Sequence, residues 1–78
     1  MIFLIQYNRN QRKLVEFQRF GDSEREKAYD AKFALELRLN EERIRDEVVI
    51  LEASSEAAIR RTHRRYFESL EQLLTAPA

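Results

Sequence analysis

The chain has 78 residues, of which 44% are hydrophobic and 36% charged, with a single glycine and a single proline. This length suits one domain with one modest core, and the composition is that of a folded chain rather than a disordered one. The 14 basic and 14 acidic side chains cancel, which disfavours a polycation built for nucleic acid, and the lack of cysteine excludes disulfides and thiolate metal sites.

The first apolar segment is short. Only four strongly apolar residues lie between Met1 and Gln6, too few for the apolar region of a signal peptide and far too few for a membrane span. We therefore expect a cytoplasmic protein that has no membrane contact. With one glycine in the chain, a glycine-rich phosphate loop is excluded, and we expect no cofactor.

Two strands are predicted at the start of the chain, Ile2 to Tyr7 and Leu14 to Phe20, because apolar and polar residues alternate in them or form a short apolar run. Asn8-Arg9-Asn10 separates them. Asparagine tolerates left-handed backbone and its side chain can bond nearby backbone groups, so this segment predicts the turn of a hairpin.

A helix is predicted from about Ser23 to about Glu41. Gly21-Asp22-Ser23 breaks the preceding strand, and Ser23 with Glu26 three residues later has the pattern of a capping box. Asn40 lies near the expected end of this helix.

The apolar run Val48 to Leu51 predicts a third strand, buried on both faces. Ser54-Ser55 then offers an N-cap for a second helix, whose apolar residues recur at helical spacing nearly to the end of the chain. These residues are Ile59, His63, Tyr66, Phe67, Leu70, Leu73 and Leu74. We expect one domain over residues 1–74 and a frayed tail over residues 75–78.

The predicted fold class is α+β, with the element order β-β-α-β-α and two helices packed on a three-stranded sheet. Strand one is the more apolar member of the hairpin, so we place it in the centre, which gives the strand order 2-1-3. A right-handed crossover between strands two and three then makes them parallel to each other and strand one antiparallel to both.

The first helix carries two apolar stripes, whereas a helix that rests on a sheet needs one. Ala28, Ala31, Leu35 and Leu39 form the first stripe, and Tyr29, Phe33 and Leu37 form the second, rotated by roughly 160°. A monomer could bury its apolar surface if the helices lay on opposite faces of the sheet or if helix two covered the second stripe. We favour a homodimer that buries either that stripe or an uncovered sheet face, because helices on opposite faces would cover the sheet but leave the second stripe exposed.

The segment RRTHRRYF, residues 60 to 67, divides into two faces at helical spacing. His63, Tyr66 and Phe67 fall with Ile59 on an apolar side, and the arginines fall on the other. We interpret His63 as a structural residue, because no serine, cysteine or second histidine supports a nucleophile or a metal site.

The four arginines Arg60, Arg61, Arg64 and Arg65 are the candidate anion or nucleic-acid patch. Arg60 can pair with Glu56, and Arg64 and Arg65 with Glu68, whereas Arg61 has no acidic neighbour at helical spacing. We favour a solvated helix face over a polyanion site. The patch extends to the hairpin residues Arg9, Arg12 and Lys13 only if the turn and helix two lie on the same side.

Acidic pairs such as Asp46 and Glu47 arise from composition alone and predict no catalytic or metal site. The sequence therefore predicts a small non-enzymatic binding protein that acts as a homodimer, with a protein partner possible. The alternative is weak, sequence-nonspecific nucleic-acid binding through phosphates at Arg60, Arg61, Arg64 and Arg65.

Overall fold

The computed structural model describes residues 1–67 and begins with a hairpin of two strands, β1 (Ile2–Asn8) and β2 (Lys13–Phe20). The turn between them uses Asn8 as predicted, because the Asn8 side-chain oxygen accepts a 2.8 Å hydrogen bond from the Gln11 amide. The left-handed residue of the turn is Arg12, with φ of 51°, rather than an asparagine.

The hairpin contains one irregularity, a β-bulge in β2. Gln6 faces Glu16, but the next residue of β1, Tyr7, faces Leu14, so that Val15 is left without a partner in β1. Val15 is half exposed. A bulge of this kind bends its strand and increases the local twist.

The first helix, α1 (Arg25–Glu41), follows a short 3-10 turn at Asp22–Glu24. The predicted Ser23–Glu26 capping box is wrong. The carboxylate of Glu24 instead accepts the Gly21 amide at 2.9 Å, and the Gly21 carbonyl accepts the Glu24 amide at 2.9 Å. The reciprocal hydrogen bonds therefore lie two residues earlier than predicted, because the chain leaves β2 at Gly21.

The end of α1 is a Schellman motif with an arginine where glycine is usual. The Ile44 amide bonds the Leu39 carbonyl at 2.9 Å, and the Arg43 amide bonds the Asn40 carbonyl at 3.2 Å. Arg43 has φ of 57°. A side chain at a left-handed position costs about 1 kcal/mol or more relative to glycine, so this cap is held at an energetic disadvantage.

The third strand, β3 (Glu47–Glu52), pairs antiparallel with β1, and the strand order is β2-β1-β3. The element order and this topology are as predicted. As expected, β3 packs against a core on both faces, through Val49 and Leu51 on one and Val48 and Ile50 on the other, but these residues are only partly buried. The reason is its position at the edge of the sheet, where one side of each residue faces away from β1.

The second helix, α2 (Glu56–Thr62), begins at the predicted N-cap, since the Ser55 hydroxyl accepts the Ala58 amide at 3.1 Å. It is much shorter than predicted. His63 has non-helical backbone angles, and a 3-10 turn follows at Arg64–Tyr66. The predicted continuation through Leu70, Leu73 and Leu74, and the tail at residues 75–78, lie outside the described residues.

The two helices lie on opposite faces of the sheet. On one face, Leu35 and Leu39 of α1 pack on Leu4 and on partly buried neighbours in β3. On the other face, α2 and the 3-10 turn cover three residues of β1 with Ile59, Tyr66 and Phe67. Each face of the sheet therefore has a cover, which removes the uncovered sheet face as a candidate dimer surface.

The helix break at His63 allows aromatic packing in the core on the α2 face of the sheet. It allows Tyr66 to contact Tyr7 edge-on at 5.2 Å between ring centroids, and Phe67 to contact Phe17 edge-on at 5.5 Å. Phe17 also stacks on Phe3. Aromatic contacts of this kind add about 0.5–1.5 kcal/mol each beyond area burial. Within residues 1–67, no helix combines the length and the apolar character that crossing a membrane requires.

Candidate interaction surfaces

The second apolar stripe of α1, which we call the outer stripe, consists of Tyr29, Phe33 and Leu37. The exposed fractions of these residues are 51%, 64% and 50%. They recur every four residues and therefore form one continuous row along the helix. The sequence predicted this stripe, and the structure places all three residues on the side of α1 that does not contact the sheet.

The fold does not need the outer stripe. The sheet-facing side of α1 is already provided by Ala28, Leu35 and Leu39, which are buried at 0%, 6% and 4% exposure. The outer stripe belongs to neither core cluster of the described residues. Three large apolar side chains on one helix are thus kept in contact with water, which is a common sign of an interaction surface.

Ion pairs on the two flanks of α1 show how the helix is turned above the sheet. On one flank, Arg25 is ion-paired with Glu52 in β3. On the opposite flank, Arg38 approaches Glu16 in β2, with 3.9 Å between Nη2 and Oε2. At about 100° per residue, Tyr29 and Phe33 adjoin the flank that carries Arg25. The outer stripe therefore leans toward the β3 edge of the sheet.

The four candidate arginines are not equivalent. Arg60 donates to Glu56 at 3.2 Å, as predicted, and its guanidinium lies 4.7 Å above the Phe67 ring. Arg65 donates to both carboxylate oxygens of Glu47, at 2.9 and 3.2 Å, and stacks over Tyr66. These two arginines thus form part of the fold, and only part of the predicted patch is left for a ligand.

Glu47 joins three elements at one end of the sheet. Its side chain is 15% exposed and also approaches Arg9 of the hairpin turn, with 3.4 Å between Nη2 and Oε1. Burial raises the pKa of Glu47, but the hydrogen bonds from Arg9, Arg65 and Tyr66 outweigh it, so the pKa lies below its usual value. Burial and the Glu47 charge together raise the pKa of the Tyr66 hydroxyl.

The remaining candidate arginines, Arg61 and Arg64, are exposed and have no ion-pair partner among residues 1–67. The predicted pairs of Arg64 and Arg65 with Glu68 lie outside the described residues. Since Arg9 and Arg65 share Glu47, the hairpin turn does lie beside the 3-10 turn. This meets the geometric condition for including Arg12 and Lys13, which are also exposed. The basic surface of the protein is therefore centred on this end of the sheet rather than on one helix face.

His63 occupies the break between α2 and the 3-10 turn. Its backbone amide bonds the Ile59 carbonyl at 2.9 Å, and its half-buried ring lies tilted against Tyr66, with 6.3 Å between centroids. These contacts are structural ones. The role of His63 in any activity stays a prediction.

A polar cluster that the sequence did not predict lies beneath the loop between α1 and β3. Gln6 is buried, and its side-chain amide donates to Asp46 at 2.7 Å. The side-chain amide of Asn8 donates to the other carboxylate oxygen of Asp46 at 3.1 Å. A shallow cleft of about 340 Å³ lies next to it, between Arg9 and Ile44. The only sequence signal was Gln6 itself, a polar residue in the apolar run of β1.

Neither the described residues nor comparison with known proteins indicates a particular chemistry. Within residues 1–67, no three histidine, cysteine, aspartate or glutamate side chains come together as a metal site requires. No protein-family model matches the sequence, and neither the curated proteins nor the solved structures contain a match to it.

Proposed function

We propose that this protein is a non-catalytic interaction module that acts as a homodimer, with the outer stripe of α1 at the interface. The observation that carries the proposal is the exposure of Tyr29, Phe33 and Leu37 on a helix whose other apolar side already covers the sheet. Aromatic residues such as Tyr29 and Phe33 are enriched at protein interfaces and bury a large apolar area there.

A self-interface is favoured over an interface with an acidic or basic partner because α1 has charges of both signs. Residues 25–32 contain three basic and two acidic side chains, and residues 34–42 contain one basic and three acidic side chains. When two copies of α1 pack antiparallel, the more basic half of each faces the more acidic half of the other. Charge complementarity of this kind sets orientation and specificity.

The test compares Phe33→Glu with Ala34→Glu, a matched control that adds the same carboxylate to a neighbouring exposed position off the stripe. Sedimentation equilibrium at tens of micromolar should give a mass of two chains for the wild type and for Ala34→Glu, and a mass of one chain for Phe33→Glu. Because Phe33 is 64% exposed, Phe33→Glu should retain the helical circular dichroism of the wild type. A wild type that sediments as one chain at every concentration contradicts the proposal.

A second candidate function is weak phosphate binding at the basic end of the sheet. The observation that favours it is the shared contact of Arg9 and Arg65 with Glu47, which brings the hairpin turn and the 3-10 turn together. Because Arg60 and Arg65 are ion-paired within the fold, Arg61 and Arg64 are the arginines of the candidate patch that can release counterions from a nucleic acid. Contact would be made to phosphates and not to base edges.

Fluorescence anisotropy with duplex DNA tests this second function. Two phosphate contacts give a slope of log affinity against log salt of about −1.8, and Arg61→Ala should flatten it by about one unit. Arg60→Ala serves as the matched control and should leave the slope unchanged. Absence of binding at low salt, or equal binding by wild type and Arg61→Ala, removes this function.

A further inference from the structure

The outer edge of β3 presents a regular row of backbone groups. The Ala53 amide bonds the Met1 carbonyl at 3.1 Å, and the pairing of β1 with β3 continues in that register. In an antiparallel ladder, hydrogen-bonded pairs alternate with non-hydrogen-bonded pairs. It follows that Leu51, Val49 and Glu47 point their backbone groups toward β1, whereas Val48, Ile50 and Glu52 point theirs away from the sheet. No residue in 1–67 forms a strand beyond this edge.

We infer that β3 pairs antiparallel with β3 of a second copy, so that the two sheets join into one six-stranded sheet whose two-fold axis passes Ile50. This inference rests on the proposed homodimer and adds its geometry. With the axis at Ile50, the amide and carbonyl of Ile50 bond those of Ile50 in the second copy, and Val48 pairs with Glu52 on either side. All three outward residues of each strand then find hydrogen-bond partners.

The axis at Ile50 is selected by the register. An axis at Val49 would pair Val48 with Ile50 and leave Glu52 outside the ladder, so fewer of the outward groups would be satisfied. The Ile50 axis also avoids like charges in directly opposed positions. Glu52 lies opposite Val48 and keeps its ion pair with Arg25, and Glu47, which points to the other face, lies opposite Ala53.

The same axis places the two α1 helices side by side on one face of the joined sheet. Leu35 and Leu39 lie on Leu4 of β1, with Val48 and Ile50 of β3 on one side and Phe20 of β2 on the other, so α1 runs above β1. It contacts β3 more extensively than β2. Neighbouring strands are about 4.8 Å apart. Two helices that lie above β1 or slightly toward β3, on either side of a β3–β3 pair, are therefore about 10–14 Å apart, at or just beyond the separation of packed helices.

The Tyr29 side of the outer stripe faces the second helix. At about 100° per residue, Tyr29 lies nearest the flank of Arg25, Phe33 lies next to it, and Leu37 points away from the sheet. The start of α1 lies near Glu52, through Arg25, and its last turns lie near Val48, so its middle, around Phe33, lies close to the level of Ile50. The two-fold axis therefore places Phe33 at the level of Phe33 of the second copy, with Tyr29 on the facing flank. It also makes the helices antiparallel, as their charges favour.

The area supports one composite interface rather than two separate ones. At half to two-thirds exposure, the outer stripe offers on the order of 300–400 Å² of apolar surface, about half of what one partner buries in a standard stable interface. The edge of β3, whose four apolar residues are only half-buried, supplies the remaining contact. The part of the stripe at Tyr29 and Phe33 adjoins this edge of the sheet.

Single cysteines test the inference cleanly, because the chain has none of its own. Ile50 and Gln18 flank Leu4 in the two opposite edge strands, β3 and β2, on the same face of the sheet. Residues opposed as a hydrogen-bonded pair have Cα atoms about 5.5 Å apart, within the span of a disulfide. Under mild oxidation at tens of micromolar, Ile50→Cys should form at least tenfold more disulfide-linked dimer than Gln18→Cys.

Hydrogen exchange of the wild type, followed by NMR, gives a second measurement that does not depend on the folding of the cysteine variants. The amides of Val48, Ile50 and Glu52 should exchange at least tenfold more slowly in the wild type than in the Phe33→Glu variant at equal concentration. The Val49 amide, which bonds β1 in either state, serves as the internal reference.

The outcomes separate the inference from the proposed function. If the wild type sediments as two chains but Ile50→Cys crosslinks no better than Gln18→Cys, or the three outward amides exchange as fast as in Phe33→Glu, the β3 pairing is wrong and the homodimer stands. If the wild type is a single chain throughout, both are wrong.

Discussion

The two helices make opposite use of their apolar residues. α2 and the 3-10 turn bury Ile59, Tyr66 and Phe67 against the sheet. The regular helix ends at His63, which makes this packing possible. α1 remains regular over its whole length, leaves three large apolar residues exposed and buries two. The difference is that α2 uses its large apolar residues for the core, whereas α1 has one side in the core and one apolar side exposed.

The largest expected difference in stability is between two replacements of phenylalanine by alanine, one on the α2 side of the sheet and one in the outer stripe of α1. Phe67→Ala removes a fully buried ring and should lower the free energy of unfolding by about 3–5 kcal/mol. Phe33→Ala should change it by no more than about 0.5 kcal/mol, because the Phe33 side chain is largely exposed in the single chain. Urea denaturation at the lowest workable protein concentration measures both. Equal losses at the two sites would remove the contrast between the helices.

The next effect concerns Glu47, which holds Arg65 and Tyr66 on the α2 side. Glu47→Gln should lower the free energy of unfolding by about 1 kcal/mol at neutral pH, since charge-assisted hydrogen bonds are lost. The control is Glu52→Gln on the α1 side, where the ion pair with Arg25 is half exposed and should contribute less.

The same variant should show a specific pH dependence. The pKa of Glu47 is lowered in the folded state, so the unfolded chain takes up the proton first as the pH falls. The stabilisation by Glu47 is therefore present above the usual glutamate pKa of about 4.3 and is lost as the pH falls through the lower folded-state value. Urea titrations from pH 7 to pH 3 should show the wild type converging on Glu47→Gln. A difference that stays constant over this range contradicts this assignment.

The smallest effect is a gain of stability at the end of α1. Arg43→Gly should raise the free energy of unfolding by about 0.5–1 kcal/mol, because glycine adopts the left-handed cap without strain. Arg45→Gly, in the same loop but without positive φ, is the control and should lower stability through the greater freedom of the unfolded chain. Thermal unfolding followed by circular dichroism distinguishes the two signs.

The strand order followed from the sequence because the apolar run after Met1 marks the central strand and one crossover fixes the rest. The break at His63 could not be predicted in this way. No glycine or proline marks it, and its cause is the packing of Tyr66 and Phe67 on residues of β1 and β2 that are distant in sequence. The left-handed backbone of Arg43 could not be predicted either, because glycine or asparagine, and not arginine, indicates that conformation in a sequence.

The candidate surfaces show the same division between local and distant causes. The outer stripe of α1 was predicted by helical spacing alone, since all of its members belong to one helix. The pairing of the arginines was predicted only where the partner is local, as for Arg60 and Glu56. The partner of Arg65 is Glu47, 18 residues earlier and in another element, which no local pattern indicates.

The bulge at Val15 gives the sheet two unlike edges, and this has a consequence for how many copies can assemble. A flat sheet with two regular edges can add copies at both ends and grow into a fibre. In β2 the unpaired Val15 interrupts the ladder, and the charged side chains of Glu16 and Arg19 accompany it along the strand. β3 has an uninterrupted register by comparison. In the proposed β3 pairing, sheet growth therefore has one permitted direction for each chain, and it ends once two chains have met.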